Sequence, residues 1–294
     1  MTRLAVGVDI GGTKVAAAVV TDDGTVVARA TSPTPTQELG SGAVEDALVG
    51  VITELGAAHS VEAVGIGAAG LVADGRVLYC PHLPLRGEPV AQRVSQRVGL
   101  PVVLDNDANA AALGEARFGA AREAAVAVCV NLGTGIGGAV LAQGHLLRGA
   151  NSLAGEFGHM TISPDGLPCE CGRRGCWEQY ASGRALERLV PGQRGAEITA
   201  AAGSGDVAAV SGLAEVGRWL GLGLANLVAA YDPDLIVVGG GVSDADVLLL
   251  DPARAALAQQ LFASAWRPPV PVVRAVLGVD AGVVGAAALA LGLG

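Results

Sequence analysis

The chain has no basic block and almost no lysine. Lys14 is the single lysine among 19 basic residues, set against 28 acidic ones, for a net charge of −9 over 294 residues. That balance argues against nucleic acid or an anionic membrane as a main partner, while leaving room for a small local anion site. Nor is there an uninterrupted apolar run of the roughly 20 residues that a membrane span needs. The stretch Ala124–His145 is uncharged, but Asn131, Thr134 and several glycines break it into strand, loop and strand. Ala281–Gly294 is uncharged but too short. The amino end shows no charged, apolar and cleavable succession, because Leu4 already opens a strand pattern; the expectation is a cytoplasmic protein. Cysteine does not come in an even set: three of the five cluster and two stand apart, which argues against a disulfide framework. The 44 glycines follow no G-X-Y period, and no flexible linker or low-complexity tail stands out.

What is present is enough apolar material for a sizeable core, 51% hydrophobic against 16% charged. The length suits two domains or one large α/β unit. Leu4–Val8 is an apolar run closed by Asp9, followed by Ile10-Gly11-Gly12-Thr13-Lys14, a second run Val15–Val20, a turn at Asp22-Asp23-Gly24 and a third run from Val26. Strand, loop, strand, turn and strand is the reading. Ala43–Ala58 and Val90–Val98 read as helices, Val61–Ala68 and Val102–Leu104 as strands, and an Ala-rich helix runs from near Ala108 to Arg117. The opening pattern then returns: strand Val126–Val130, loop Asn131-Leu132-Gly133-Thr134-Gly135-Ile136-Gly137-Gly138, and strand Ala139–Ala142. Asp9 corresponds to Asn131 and Gly11 to Gly133. A repeat longer than 100 residues is a duplicated domain rather than a solenoid. Further on, a long helix over Val207–Ala230 precedes the strand Leu235–Val238, which runs into Gly239-Gly240-Gly241.

Three glycine-rich segments thus follow apolar strands. Glycine lets backbone N–H groups face an anion with no Cβ in the way, Thr13 and Thr134 add hydroxyls, and Lys14 adds a charge. Two such loops at matching places in a duplication point to a nucleotide phosphate site. The P-loop pattern is excluded, since Gly12-Thr13-Lys14 has the wrong order and leads into a strand. Gly133-x-Gly135-x-x-Gly138 matches the dinucleotide fingerprint in spacing, but again a strand follows. Asp105-Asn106-Asp107 lies between a buried strand and a helix; one of the three caps the helix, which leaves two unexplained. A carboxylate there can take a proton from a substrate hydroxyl as it attacks phosphorus. Asp9 is placed to accept from a water on Mg-ATP. His159, Cys169, Cys171 and Cys176 follow the spacing H-x9-C-x-C-x4-C, one imidazole and three thiolates that suit tetrahedral, structural zinc. Such a zinc would tie Glu156, His159 and Glu178 into one region. Cys129 reads as core.

Together these motifs resemble the ROK family of sugar kinases, and the match covers nearly the whole chain. The segments that carry it are Asp9–Lys14, Asn106-Asp107-Ala108, Asn131–Gly138, Gly155–His159, Cys169–Glu178 and Gly239–Val242. Trp177-Glu178-Gln179-Tyr180-Ala181-Ser182-Gly183 is most similar to the bacterial ATP-dependent glucokinases of that family. The resemblance implies an actin-like (ribonuclease H-like) duplicated two-domain α/β fold with an active-site cleft between domains. The expected boundaries are 1–117, with a carboxyl-terminal helix 279–294 packing back on it, and 118–278, carrying the zinc segment 159–178. It implies phosphorylation of glucose at the 6-hydroxyl by ATP and Mg²⁺, with Asp107 as general base. Asn106, Glu156, His159, Glu178 and Gly70 would bind the sugar. Asp9, Gly11, Gly12, Thr13, Lys14, Gly133, Thr134, Gly135, Gly239 and Gly240 would bind the nucleotide. A homodimer or homotetramer is expected. One departure stands out: in Pro81-His82-Leu83-Pro84-Leu85, histidine replaces the asparagine and leucine the tryptophan usual in the family near the sugar mouth, so that Leu85, if it faces the sugar, would admit an N-acetyl group. A kinase for N-acetylmannosamine or another hexose is the alternative; a sugar-responsive regulator is the non-enzyme alternative.

Overall fold

The computed structural model describes residues 2–294, which form two compact units. The first comprises residues 2–122, 144–154 and 279–294, the second 123–143 and 155–278.

In the first unit the strands β1 (Leu4–Ile10), β2 (Lys14–Thr21) and β3 (Val26–Pro33) form an antiparallel meander. β4 (Ala63–Ala68) and, beyond it, β7 (Val102–Asn106) continue the sheet parallel to β1, giving the order β3-β2-β1-β4-β7. Alternation along β1 decides what each face meets. Val6, Val8 and Ile10 join Val64 and Ile66 of β4 in a core with Leu48 and Ile52 of α1 (Gly40–Ala58) and Val94 of α2 (Val90–Val98). The opposite face of the same two strands carries Gly7 and Gly65. Against it lie α3 (Asp107–Phe118) and α9 (Ala281–Ala290). The approach is close: a Cβ built on Gly7 would lie 1.8 Å from the Val283 carbonyl oxygen, and one on Gly65 would lie 1.7 Å from that of Ala286. The small side chains of α9, Ala-Gly-Val-Val-Gly-Ala-Ala-Ala-Leu-Ala, match this flat surface.

A small hairpin, β5 (Leu71–Ala73) and β6 (Arg76–Tyr79), was not expected from the apolar pattern, which is too short there. Its signal is Asp74-Gly75, both at positive φ (51° and 71°), as a tight two-residue turn requires. The segment 144–154 contributes the two-residue strand β10 (His145–Leu146) beside α3.

The second unit repeats the scheme. β8 (Val126–Leu132) pairs antiparallel with β9 (Ile136–Ala142) and parallel with β11 (Leu235–Gly239), which pairs parallel with β12 (Val272–Arg274). β1 and β8 even share one burial sequence along their seven residues. α4 (Glu178–Ala181), α5 (Gly183–Leu189), α6 (Gly195–Gly203), α7 (Val207–Tyr231) and α8 (Val247–Gln260) complete the unit. By length and composition α7 could cross a membrane, but half of its apolar window is buried as the central helix of this unit.

Gly65→Ala is expected to destabilise by at least about 1–3 kcal/mol in urea unfolding, because the methyl group meets backbone that cannot yield. Gly50→Ala, exposed in the middle of α1 with nothing within 4 Å of the new methyl, is expected to stabilise by about 0.5–1 kcal/mol. Equal behaviour of the two variants would refute the close-approach account.

Candidate active site

In the first unit, Asp9 ends β1 on the face that carries Gly7, partly buried against α9; a Cβ on Gly282 would meet its Oδ2 at 2.7 Å. Burial, followed by the charge of Asp107, pushes the Asp9 carboxyl up to about 6, against the opposing pull of Lys14. The following loop is held from β3: the Thr34 hydroxyl donates to the Gly11 carbonyl at 2.7 Å, and the Thr34 N–H donates to the Thr13 carbonyl at 3.1 Å. A Cβ on Gly12 would meet no protein atom. The fold therefore does not demand glycine there, and the open space over the backbone is what a phosphate would use.

Of the three polar residues at the β7–α3 junction, Asn106 is the cap. Its side-chain oxygen accepts from the N–H groups of Ala108 (2.8 Å) and Asn109 (3.2 Å), and its Nδ2 donates to the Gly70 carbonyl at 3.0 Å. Gly70 sits at φ 98°, with no room for a side chain under the Tyr79 carbonyl. Asp107 is the first residue of α3. Burial raises its pKa, and the N–H of Ala108, at 2.9 Å from Oδ1, works in the opposite direction. Two carboxyl groups with raised pKa values thus share one side of one sheet. Of the family-departing loop, His82 is exposed, whereas Leu83 and Leu85 are fully buried in the first unit's core with Cys80. Leu85 opens no room at a sugar mouth.

In the second unit the loop after β8 is pinned by the Gly183 N–H, which donates to the Gly133 carbonyl at 2.8 Å. Gly133 and Thr134 line a cavity of about 340 Å³, whose other walls include Arg184 of α5, Thr199 of α6, Gly241 and Asp244. Gly239 and Gly240 lie beneath it and do not line it. Gly239 packs against the Asn131 amide, and Gly240, at φ 82°, turns over the backbone of Leu132. Arg184, Thr199 and Asp244 belong to no motif and carry no signal in the sequence; the packing of α5 and α6 brings them in.

The fourth group is the His/Cys cluster. One ligand atom from each of His159, Cys169, Cys171 and Cys176 lies within 4.8 Å of all the others. The Cys171 and Cys176 sulfurs are 3.6 Å apart, and the Cys169 sulfur is 3.8 Å from His159 Nδ1. A tetrahedron with metal–sulfur bonds of about 2.3 Å has edges of about 3.8 Å, which these two separations match, so the donor set suits zinc. Cys129, apart from it, is buried in β8. Trp177, fully buried, anchors the segment by donating its indole N–H to the Trp219 carbonyl at 2.8 Å. The next residue, Glu178, accepts from the Cys169 thiol at 3.2 Å and lies 3.6 Å from His159 Nδ1. Its other oxygen would touch a Cβ on Gly135 at 2.5 Å. Glu178 therefore stands between the cluster and the second glycine loop, and Glu156, three residues before His159, opens the same segment.

The sequence model of the ROK family matches residues 5–292. The chain is 44% identical to a glucokinase of Streptomyces coelicolor, an alignment that covers 98% of this chain and 97% of that one. Its structure superposes with a TM-score of 0.91 on a ROK family glucokinase from Streptomyces griseus in complex with glucose and AMPPNP, at 46% identity over 98% of this chain and 99% of that one. A ROK hexokinase from Thermus thermophilus follows with a TM-score of 0.81 and 36% identity, over 99% and 98% of the two chains.

Metal analysis of protein purified without chelators is expected to find one zinc per chain, and Cys176→Ser is expected to lose it together with the order of the segment around Glu178. Metal-free protein with unaltered thermal stability would count against the cluster.

Proposed function

The chain belongs to the ROK family, and on that premise we propose how its residues carry out the reaction. Its duplicated α/β units are those of the actin-like fold. It is a sugar kinase that transfers the γ-phosphoryl group of ATP to the 6-hydroxyl of glucose. The observation that carries the residue assignment is the pair Asp107 and Asp9, held on one face of one sheet with raised pKa values.

Asp107 is the general base. A carboxylate with a raised pKa is a better proton acceptor than an ordinary one. It takes the proton of the 6-hydroxyl while that oxygen attacks the γ-phosphorus. The new O–P bond forms as the bond to the β-phosphate oxygen breaks, and ADP leaves with the electron pair. Asn106, fixed by its capping bonds and by Gly70, holds the sugar beside the base. Glu156, His159 and Glu178 bind further hydroxyls. Gly11, Gly12, Thr13 and Lys14 on one loop, and Gly133, Thr134 and Gly135 on the other, hold the phosphates. Gly239 and Gly240 set the turn below the cavity that receives the nucleoside. Magnesium, arriving with ATP, neutralises phosphate charge, and Asp9 accepts hydrogen bonds from its water shell. Zinc would be held by His159, Cys169, Cys171 and Cys176 and would supply a fixed anchor for Glu178. A cytoplasmic homodimer or homotetramer belongs to the same reading; light scattering of the purified protein tests the assembly.

ADP release with Mg-ATP is to be measured against glucose, mannose, fructose, glucosamine, N-acetylglucosamine and N-acetylmannosamine. The highest kcat/KM is expected for glucose; a preference for an N-acetylated sugar would refute that assignment. Asp107→Asn is expected to lower kcat by about 10²–10⁴-fold while glucose KM changes little. Protonation of Asp107 contributes to the acid limb of kcat/KM for ATP, and so does protonation of Asp9. The raised pKa of Asp9 places its protonation near 6 and not near 3.8, so activity falls as pH drops through about 6. A limb centred near 4 would show that Asp9 is not the group that titrates.

A further inference from the structure

Asp105, one residue before the capping Asn106, is a buried carboxylate with no part in the scheme above; it is 8% exposed. Its Oδ1 accepts from the backbone N–H of Asn106 at 2.7 Å and from Asn109 Nδ2 at 2.8 Å. Its Oδ2 accepts from Nε of Arg148 at 2.9 Å. One carboxylate therefore staples the end of β7 to the first turn of α3, across the two residues that the reading above assigns to sugar and base. Arg148 reaches it from 43 residues further along the chain, at the root of a loop closed by the Ala154 N–H donating to the Arg148 carbonyl at 3.0 Å.

Helix capping does not require this arrangement, because the Asn106 side chain already satisfies the N–H groups of Ala108 and Asn109. Nor does stability: the Arg148 side chain is 40% exposed, and ion pairs with a solvated partner contribute little. What the pair does supply is direction. The Asn106 N–H, its side chain and the Asn109 amide are all oriented by fixed acceptors, so the turn between Asn106 and Asp107 has one way to point.

We propose that Asp105 and Arg148 are positioning residues for sugar phosphorylation, an ion-paired latch that aims the Asn106–Asp107 turn at the sugar. The proposal rests on Asp107 being the base and Asn106 a sugar ligand. Without Arg148, Oδ2 of Asp105 is left as an unpaired buried charge beside the turn, and the carboxylate swings to satisfy it. The turn then loses its aim, while the two glycine loops keep theirs.

Steady-state kinetics of the full chain with glucose and Mg-ATP tests this, using Arg148→Met, Arg148→Lys, Asp105→Asn, the Asp105→Asn/Arg148→Met double variant and Asp107→Asn, with folded protein quantified by thermal melting. Arg148→Met and Asp105→Asn are each expected to lower kcat/KM for glucose by on the order of tenfold or more, through a raised glucose KM as well as a lowered kcat, with KM for ATP within about twofold. The double variant is expected to be no worse than the worse single, since both break one interaction. Arg148→Lys, which keeps a donor and the charge, is expected to recover most of the loss. Loss of folded protein alone lowers apparent kcat and leaves KM unmoved, so an unchanged glucose KM in both single variants overturns the latch. Losses that multiply in the double variant overturn it as well. With Asp107→Asn inactive, those results condemn the latch alone. An Asp107→Asn enzyme with wild-type turnover overturns the base assignment and the latch with it.

Discussion

The site depends on how closely two helices approach one sheet face. Gly7 and Gly65 leave that face of β1 and β4 without side chains, and α9 lies on it at backbone contact. α3 packs beside α9, and a Cβ on Gly67 would touch Asp107 Cα at 3.4 Å. A helix that came to rest a side chain further out would carry Asp107 away from Asp9. Burial under the helices raises the pKa of both groups, and the charge of Asp107 adds to the rise at Asp9. Such a pair is kept only where a cation or a proton transfer uses it. The glycine face, the small residues of α9 and the two carboxyl groups are thus one device.

The second unit uses the same hairpin with the charge removed. Asn131 holds the register position of Asp9, and Cys129 that of Gly7. Each polar residue leans on a glycine, Asp9 on Gly282 and Asn131 on Gly239. An amide in that position brings no negative charge to the loop that follows, whereas a second carboxylate would repel any anion bound there. Duplication supplied two equal loops, and one substitution gave them different electrostatic tasks.

Much of this was legible in the sequence because it is local. Strand-loop-strand patterns, the H-x9-C-x-C-x4-C spacing and a polar triplet ahead of a helix are all written within some 20 residues. Which member of the triplet caps was not legible, since Asp105, Asn106 and Asp107 all have side chains that cap. Arg148, 43 residues from Asp105, settles it by taking one of the three out of contention. Arg184 and Thr199 in the cavity wall escaped notice for the same reason: tertiary packing puts them there, and no spacing encodes it. Leu85 shows the converse. A substitution that read as a change at the sugar mouth is a core residue of the first unit.

The stretch from Glu156 to Trp177 shows what a metal would add to this fold. Between its short 3-10 turn and α4 it has no helix, and its two arms are tied by isolated backbone bonds, among them the Ile162 N–H to the Gly175 carbonyl (2.9 Å) and the Cys169 N–H to the Arg173 carbonyl (2.8 Å). Yet its two ends carry Glu156, His159 and Glu178, whose usefulness depends on being still. Trp177 fastens one end by filling the space that Gly223 leaves on α7. The tip of the loop, at Cys171, is exposed. A metal held by the four ligands, drawn from both arms of the loop, would lock them together, and Glu178, in contact with Cys169 and lying against Gly135, would carry that rigidity to the second glycine loop. A chain with 3% aromatic residues has little bulk with which to pack such a segment, and a cross-link needs none.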